Sequence, residues 1–203
     1  MSNNRENPAI ILASASPRRK YLLEQAGLCI EVIPSAVAED AVTEPDPAAR
    51  VRLLAAAKAQ AAADRHPARW VIGADTVVVI DGRILGKPGS EDDARQMLRR
   101  LAGRTHQVYT GYAVLCAARG KRFCEAVCTD VRFKDLNEHE IAWYVSTGEP
   151  FDKAGAYAIQ GIGTFLVKSI NGSYTNVVGL PVCEVIERLI AEGVVGWTPE
   201  GLN

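Results

Sequence analysis

The stretch from Trp70 to Asp81 is dense in Val and Ile, and Asp81-Gly82 closes it with a strong hairpin signal. It reads as a strand that returns over Arg83 to Leu85 and then runs into Gly86-Lys87-Pro88. One carboxylate, Asp75, stands inside the apolar run. Burial there is expensive unless a cation or hydrogen-bond donors meet it.

The segments around this hairpin alternate in kind. Ile10 onward is apolar, and Ser16 followed by Pro17 starts a helix that Gly27 ends. Leu28 to Pro34 is β-branched enough for a second strand, and Ser35 to Glu44 is an irregular loop carrying Glu39 and Asp40. Asp46-Pro47 opens an alanine-rich helix that runs to about Arg65 and contains Lys58. Ser90 with Asp93 resembles a capping box, and the helix it opens ends near Ala102. His106 to Ala117 and Lys121 to Phe133 form a second hairpin around Arg119-Gly120. Asn137 starts another helix, closed by Gly148. A strand is expected from Thr164 to Ile170, then an Asn171-Gly172 turn, and Pro181 opens the last helix to about Glu192. Strands and helices alternate first and hairpins follow, so the expected fold is α/β with a mixed or antiparallel central sheet.

With 203 residues the chain can build one sizeable core, or two lobes sharing a cleft. Residues 1–203 read as a single domain with a polar tail over 1–8 and a C-terminal tail over 197–203. A net charge of −1 argues against a nucleic-acid polymer as partner, though not against a local basic pocket. No run approaches the ~18 apolar residues of a membrane helix, and the first eight residues lack the apolar core of a signal peptide. A cytoplasmic protein is expected. The five cysteines are an odd number and do not form a disulfide framework. Cys124 and Cys128 lack the companions a zinc site needs, and read as reduced thiols.

The chemistry begins at Ser14-Ala-Ser-Pro-Arg-Arg19. Helix first turns favour acidic residues, yet Arg18, Arg19 and Lys20 occupy this one. Either the arginines are solvated and tolerated, or a polyanion sits there, met by the free backbone N–H groups, the helix dipole and a guanidinium. Ser14 and Ser16 add hydroxyls to the same turn. A phosphate site needs further parts. Asp75 within Gly73-Ala-Asp-Thr76 suits a general base or a metal ligand, or else a strand-end residue that satisfies a turn. Lys87 and Lys58 are point charges, although a lysine taken singly is more often a surface residue. Gly148 to Gly161 is a long irregular stretch dense in glycine and polar side chains, as functional loops are. There is no Walker loop and no dinucleotide fingerprint.

Together these motifs resemble the Maf family of nucleoside triphosphate pyrophosphatases. The resemblance runs from Ile10 to about Ile190, through Ser14-Ala-Ser-Pro-Arg-Arg19, Gly73-Ala-Asp-Thr76, Leu85-Gly-Lys-Pro88 and the Gly148 to Gly161 stretch. It implies a mixed central sheet with flanking helices and two lobes around a deep cleft. It also implies hydrolysis of a nucleoside triphosphate between the α and β phosphates with a divalent metal, Mg²⁺ or Mn²⁺, and a chain that is often a homodimer. On this sequence Asp75 looks like the proton acceptor and a metal ligand, with Glu39 the second acid near the metal, a place Asp40 could take instead. Arg18, Lys58 and Lys87, helped by Ser14, would grip the triphosphate.

Gly148-Glu-Pro-Phe-Asp-Lys-Ala-Gly-Ala-Tyr-Ala-Ile-Gln-Gly161 resembles the family branch that acts on dTTP and UTP, not the branch for 7-methyl-GTP. In that branch Arg18, Thr76 and Gln160 match the specificity positions. The Gln160 amide can donate to O4 and accept from N3–H of uracil or thymine, and the same amide flipped could face cytosine. The alternatives are a nucleotide-binding regulator of cell division and a purine-specific enzyme of the same fold.

Overall fold

The computed structural model describes residues 10–196, apart from the side chain of Asp40. Both tails read from the sequence, 1–8 and 197–203, therefore lie outside the described residues. Strand β1 (Ile10–Leu12) leads into helix α1 (Pro17–Gln25), whose first turn is capped by the Ser16 hydroxyl accepting from the Arg19 N–H. Strand β2 (Ile30–Val32) follows, then a short 3₁₀ turn (Glu39–Ala41) and helix α2 (Pro47–Ala63). Asp46 caps α2 by accepting from the Ala49 N–H at 2.7 Å. Strands β3 (Trp70–Ile80) and β4 (Arg83–Leu85) form the first hairpin. Helix α3 (Glu91–Leu101) begins at Ser90, but the Asp93 carboxylate accepts from Gly89 and not from the cap residue, so the expected capping box is displaced by one residue.

Strands β5 (Thr105–Cys116) and β6 (Lys121–Phe133) make the second hairpin, and helix α4 (Glu138–Ser146) starts with a complete capping box between Asn137 and Glu140. The strand expected from Thr164 begins late. Gly161–Leu166 is a 3₁₀ helix, and β7 is Val167–Asn171. Gly163 explains the delay: a Cβ there would lie 2.4 Å from the Ala158 carbonyl, a closeness that an extended segment would not need. A short helix α5 (Tyr174–Val178), not expected from the sequence, is capped by Ser173 and precedes α6 (Val182–Ala191).

The seven strands of the described residues form one mixed sheet in the order β2-β1-β3-β5-β6-β7, with β4 also on β3. Strands β2, β1 and β3 are parallel; every other pairing is antiparallel. Residues 71–79 of β3 pair with β5 along one edge. Its other edge is shared, with β1 covering residues 70–72 and β4 covering residues 78–80. Between them residues 73–77 have no strand beside them, and that gap opens the cleft.

Successive side chains of β3 point to opposite faces. Helix α2 lies on one face. Its buried alanines, Ala55, Ala59 and Ala62, let its backbone sit against the sheet. A Cβ at Gly73 would come within 2.3 Å of the Ala55 carbonyl, and one at Gly111 within 2.2 Å of the Val51 carbonyl. The opposite face carries two cores. Leu22, Leu23, Leu180, Val185 and Leu189 pack over the Ile72 and Ala74 end of β3. Leu98, Phe133, Ile141, Tyr144 and Leu166 pack over the Val78 and Ile80 end. Two lobes thus share one sheet, and Thr76 lies at their boundary.

Candidate active site

The opening motif builds one wall. After Leu12 the chain leaves the sheet, and Pro17 starts α1 with Arg18 and Arg19 in its first turn and no acidic residue there. The two arginines are about 100° apart around the helix, and their fates differ. Arg19 turns inward and is buried. Its Nε donates to the Gly179 carbonyl at 2.7 Å, and its Nη1 to the Ala74 carbonyl at 2.9 Å and Ser14 Oγ at 3.0 Å. Its Nη2 donates to Thr76 Oγ1 at 3.0 Å. Ala74 belongs to the uncovered stretch of β3, so the guanidinium satisfies a carbonyl that a neighbouring strand would otherwise bond. Burial lowers the Arg19 pKa, while the nearby Asp75 charge opposes that shift. Both arginines border the cleft, but Arg18 keeps its guanidinium partly solvated there, with Nη1 3.4 Å from Asp152.

On the α2 face, the close packing at Gly73 and Gly111 brings Lys58 over Asp75, which pairs with Gly111 across the β3–β5 ladder. The Lys58 ammonium lies 2.7 Å from Asp75 Oδ1 and 2.7 Å from Glu39 Oε1. Asp75 and Lys58 are both buried, and each charge offsets the other's loss of water. Burial pushes the Glu39 carboxyl up, but the Lys58 hydrogen bond and the charges of Lys58 and Lys87 outweigh it and hold it below the ordinary value. Lys58 is not among the residues lining the cleft; Asp75, Glu39 and Lys87 are. The structure therefore seats Lys58 as the counter-ion of two carboxylates, behind the wall that the sequence reading assigned it to.

Two carboxylate oxygens that reach one atom are placed as two protein ligands of a single cation must be. A Mg²⁺ ion commonly takes only one or two carboxylates and completes its shell with water and substrate phosphates. Glu39 and Asp75 fit that donor set. Among the described residues no cluster of three or more acidic, His or Cys side chains offers a cage of its own.

The Gly148–Gly161 stretch supplies the other wall. It coils into short 3₁₀ turns (Glu149–Asp152 and Ala154–Ala156) held at both ends. The Glu149 carboxylate accepts from Tyr144 Oη at 2.8 Å, Ile162 N at 3.0 Å and Gly163 N at 2.8 Å. Gly155 N donates to the Gly86 carbonyl at 2.9 Å, which ties the stretch to the exit of β4. Gly155 has φ +70°, and a Cβ there would meet Val78 at 2.9 Å. So anchored, the stretch places Lys153, Tyr157 and Gln160 on the cleft. Behind Tyr157 its hydroxyl lies 2.7 Å from Nε2 of the buried His106, whose pKa burial lowers to about 4.

The cleft between these walls holds about 340 Å³. Its lining divides between polar and charged groups, among them Ser14, Arg18, Glu39, Asp75, Lys87, Asp152 and Lys153, and an apolar cluster of Val78, Val108, Tyr157 and Val177. A polyanion joined to a flat, partly apolar group matches that division.

Comparison with known proteins agrees. The sequence pattern of the Maf family, described as Maf-like protein, matches residues 9–192. The chain belongs to the Maf family. It is 52% identical over 180 residues to a protein of Syntrophus aciditrophicus named dTTP/UTP pyrophosphatase, covering 89% of this chain and 88% of that one. A protein of the same name from Geobacter sulfurreducens is 53% identical over 184 residues, 91% of this chain and 96% of that one. Another, from Geobacter sp. strain M21, is 50% identical over 191 residues, 94% and 99% of the two chains.

In this Maf-family chain the structure gathers Ser14, Arg18, Glu39, Asp75, Thr76, Lys87 and Gln160 around one cleft, with Lys58 directly behind. Sequence reading did not single out Lys153, Glu149, Thr110 or Gly111. Gly111 had a legible signal, since an isolated glycine inside a strand often marks a close backbone approach. Glu149 and Thr110 had none, because their partners are recognised only after folding.

Proposed function

We propose that this protein hydrolyses dTTP and UTP between the α and β phosphates, releasing the nucleoside monophosphate and pyrophosphate. The observation that carries the reading is a buried carboxylate, Asp75, that borders a cleft lined by charged groups and by an apolar cluster. The names borne by relatives at about half identity supply the substrate.

Phosphoryl transfer asks little covalent chemistry of the protein and much positioning. Arg18 and Lys87 grip the triphosphate, and Ser14 Oγ and the free N–H groups of the α1 first turn complete the cradle. Asp75 accepts the proton of the water that forms the new bond to the α phosphorus, while the bond to the bridging oxygen breaks and pyrophosphate leaves. Lys58 fixes Asp75 and Glu39 in place and balances their charge before substrate arrives. Glu39 and Asp75 would hold Mg²⁺ or Mn²⁺, which when bound neutralises charge on the phosphates. Gln160 faces the base, with Thr76 beside it and the apolar walls excluding water.

No helix among the described residues is long and apolar enough to cross a membrane, and the five cysteines are free, which suits the reducing cytoplasm. A homodimer accords with the family. Incubating the protein with dTTP, UTP, CTP, 7-methyl-GTP or ITP and Mg²⁺ or Mn²⁺ tests the reading. Pyrophosphate release with dTTP and UTP preferred is expected; orthophosphate release or a purine preference refutes it.

A further inference from the structure

A side-chain amide cannot by itself tell uracil from cytosine. Gln160 makes no hydrogen bond to another described residue, so its amide can turn over and match either base edge. Discrimination needs a second group whose donor and acceptor sense is fixed. Thr76, on the same cleft, is such a group.

The Thr76 hydroxyl accepts from Arg19 Nη2 at 3.0 Å and lies 2.9 Å from Thr110 Oγ1. Thr110 is fully buried on the neighbouring strand, does not line the cleft, and lies 3.0 Å from the Asn176 carbonyl. A carbonyl can only accept, so a Thr110 proton aimed at Asn176 leaves Thr110 Oγ1 as the acceptor for the proton of Thr76. The opposite sense would have Thr110 donate to Thr76 and send the Thr76 proton to the Gly179 carbonyl at 3.4 Å. That exchange replaces two short bonds with one short and one long. The order Arg19 to Thr76 to Thr110 to Asn176 is therefore the one the geometry favours. In that order the Thr76 proton points away from the cleft, and only a lone pair remains to meet a ligand.

We propose that Thr110 is a positioning residue for base selection: by holding the Thr76 proton it makes Thr76 an acceptor, which matches a pyrimidine bearing N3–H and opposes one with a bare N3. Uracil and thymine carry that N–H and cytosine does not. With Thr76 accepting from N3–H, Gln160 is left to donate to the O4 carbonyl. Thr76 borders the apolar cluster of the cleft, since Val78 and Val108 project from the same face of β3 and β5. The inference rests on the pyrophosphatase reading and adds to it a residue outside the cleft.

The test compares kcat/KM for UTP and CTP in the wild type, Thr110→Val and Thr110→Ser. Valine keeps the shape of threonine and removes the hydroxyl; Asn176 O still accepts from Gly179 N. The freed Thr76 proton can then turn to the cleft and serve cytosine. The UTP-to-CTP ratio is expected to fall about tenfold in Thr110→Val, the worth of one mismatched neutral hydrogen bond, and to stay within about twofold of wild type in Thr110→Ser. Thermal melting confirms that each variant is folded, and Thr110→Ala replaces the valine variant should that one not fold. An unchanged ratio, or an equal loss for both substrates, overturns the proposal. A wild type that releases no pyrophosphate from UTP or dTTP refutes the underlying activity, whereas an active wild type without preference for UTP over CTP overturns the role of Thr110 alone.

Discussion

The two faces of β3 solve different problems with residues one position apart. On the α2 face, Asp75 meets a mobile-headed cation, and three charges share one place: Glu39, Lys58 and Asp75. On the other face, Thr76 meets a fixed fork and a chain of neutral groups running to Thr110 and Asn176. An ammonium is a rotatable point charge and tolerates change in its partners, whereas a guanidinium is planar and dictates where its acceptors sit. The charged face is thus suited to chemistry in which protons and phosphates come and go. The face with the fixed fork is suited to recognition, where a hydrogen bond must keep its sense.

Variants can break or sharpen that contrast. The largest effect is expected at Asp75. Asp75→Asn removes the proton acceptor but keeps the shape, so pyrophosphate release should fall about a thousandfold, while calorimetry still shows nucleotide binding. Undiminished turnover would remove Asp75 from the chemistry. Next is Arg19→Ala, which leaves the Ala74 and Gly179 carbonyls without their donor inside the fold. It should cost about 3 kcal/mol of stability in urea unfolding. Arg19→Lys should recover little, because an ammonium cannot span four acceptors.

His106 gives the recognition face an acid limit. Its pKa falls from 6.5 in the unfolded chain to about 4 in the fold because burial disfavours the charged ring. Above pH 6.5 both states hold it neutral, and stability from this group is complete. As the pH drops from 6.5 toward 4 the unfolded chain takes up the proton first, and stability declines by at most about 3 kcal/mol. Melting curves between pH 7.5 and 4.5 should show this slope, and His106→Gln should flatten it. An equal slope in both proteins would assign the acid loss elsewhere. The smallest effect belongs to Arg18→Ala. Arg18 is partly solvated and among the described residues pairs with Asp152 alone, so triphosphate binding should weaken about tenfold, with melting unchanged. Normal affinity would return Arg18 to a solvated surface role.

Much of the fold was legible before the structure. Ser16, Asp46, Ser90 and Asn137 each cap the helix that their sequence position announced, because capping depends on residues within one turn. The hairpin at Asp81-Gly82 was legible for the same reason. The strand at Thr164 was misplaced because Gly161–Leu166 coils to meet the Glu149 carboxylate, 13 residues or more back along the chain. Asp75 stood out because a carboxylate within an apolar run demands a partner, although the partner could not be named. Lys58 was noticed as a lone charge on an alanine-rich helix, and its position behind two carboxylates became visible only with Gly73 and Gly111 drawn against α2.

The sequence by itself determined the elements, their caps, a carboxylate in need of a cation, and an arginine pair where a helix dipole disfavours positive charge. The tertiary structure alone decided which arginine meets the cleft and which one builds it. Arg19 finds its acceptors 55 and 160 residues further on: Ala74, on the stretch of β3 that neither β1 nor β4 covers, and Gly179, at the end of α5. Local propensity acts over a few residues and cannot reach so far; only the packed sheet brings an unpaired carbonyl to a guanidinium and leaves its neighbour facing the cleft.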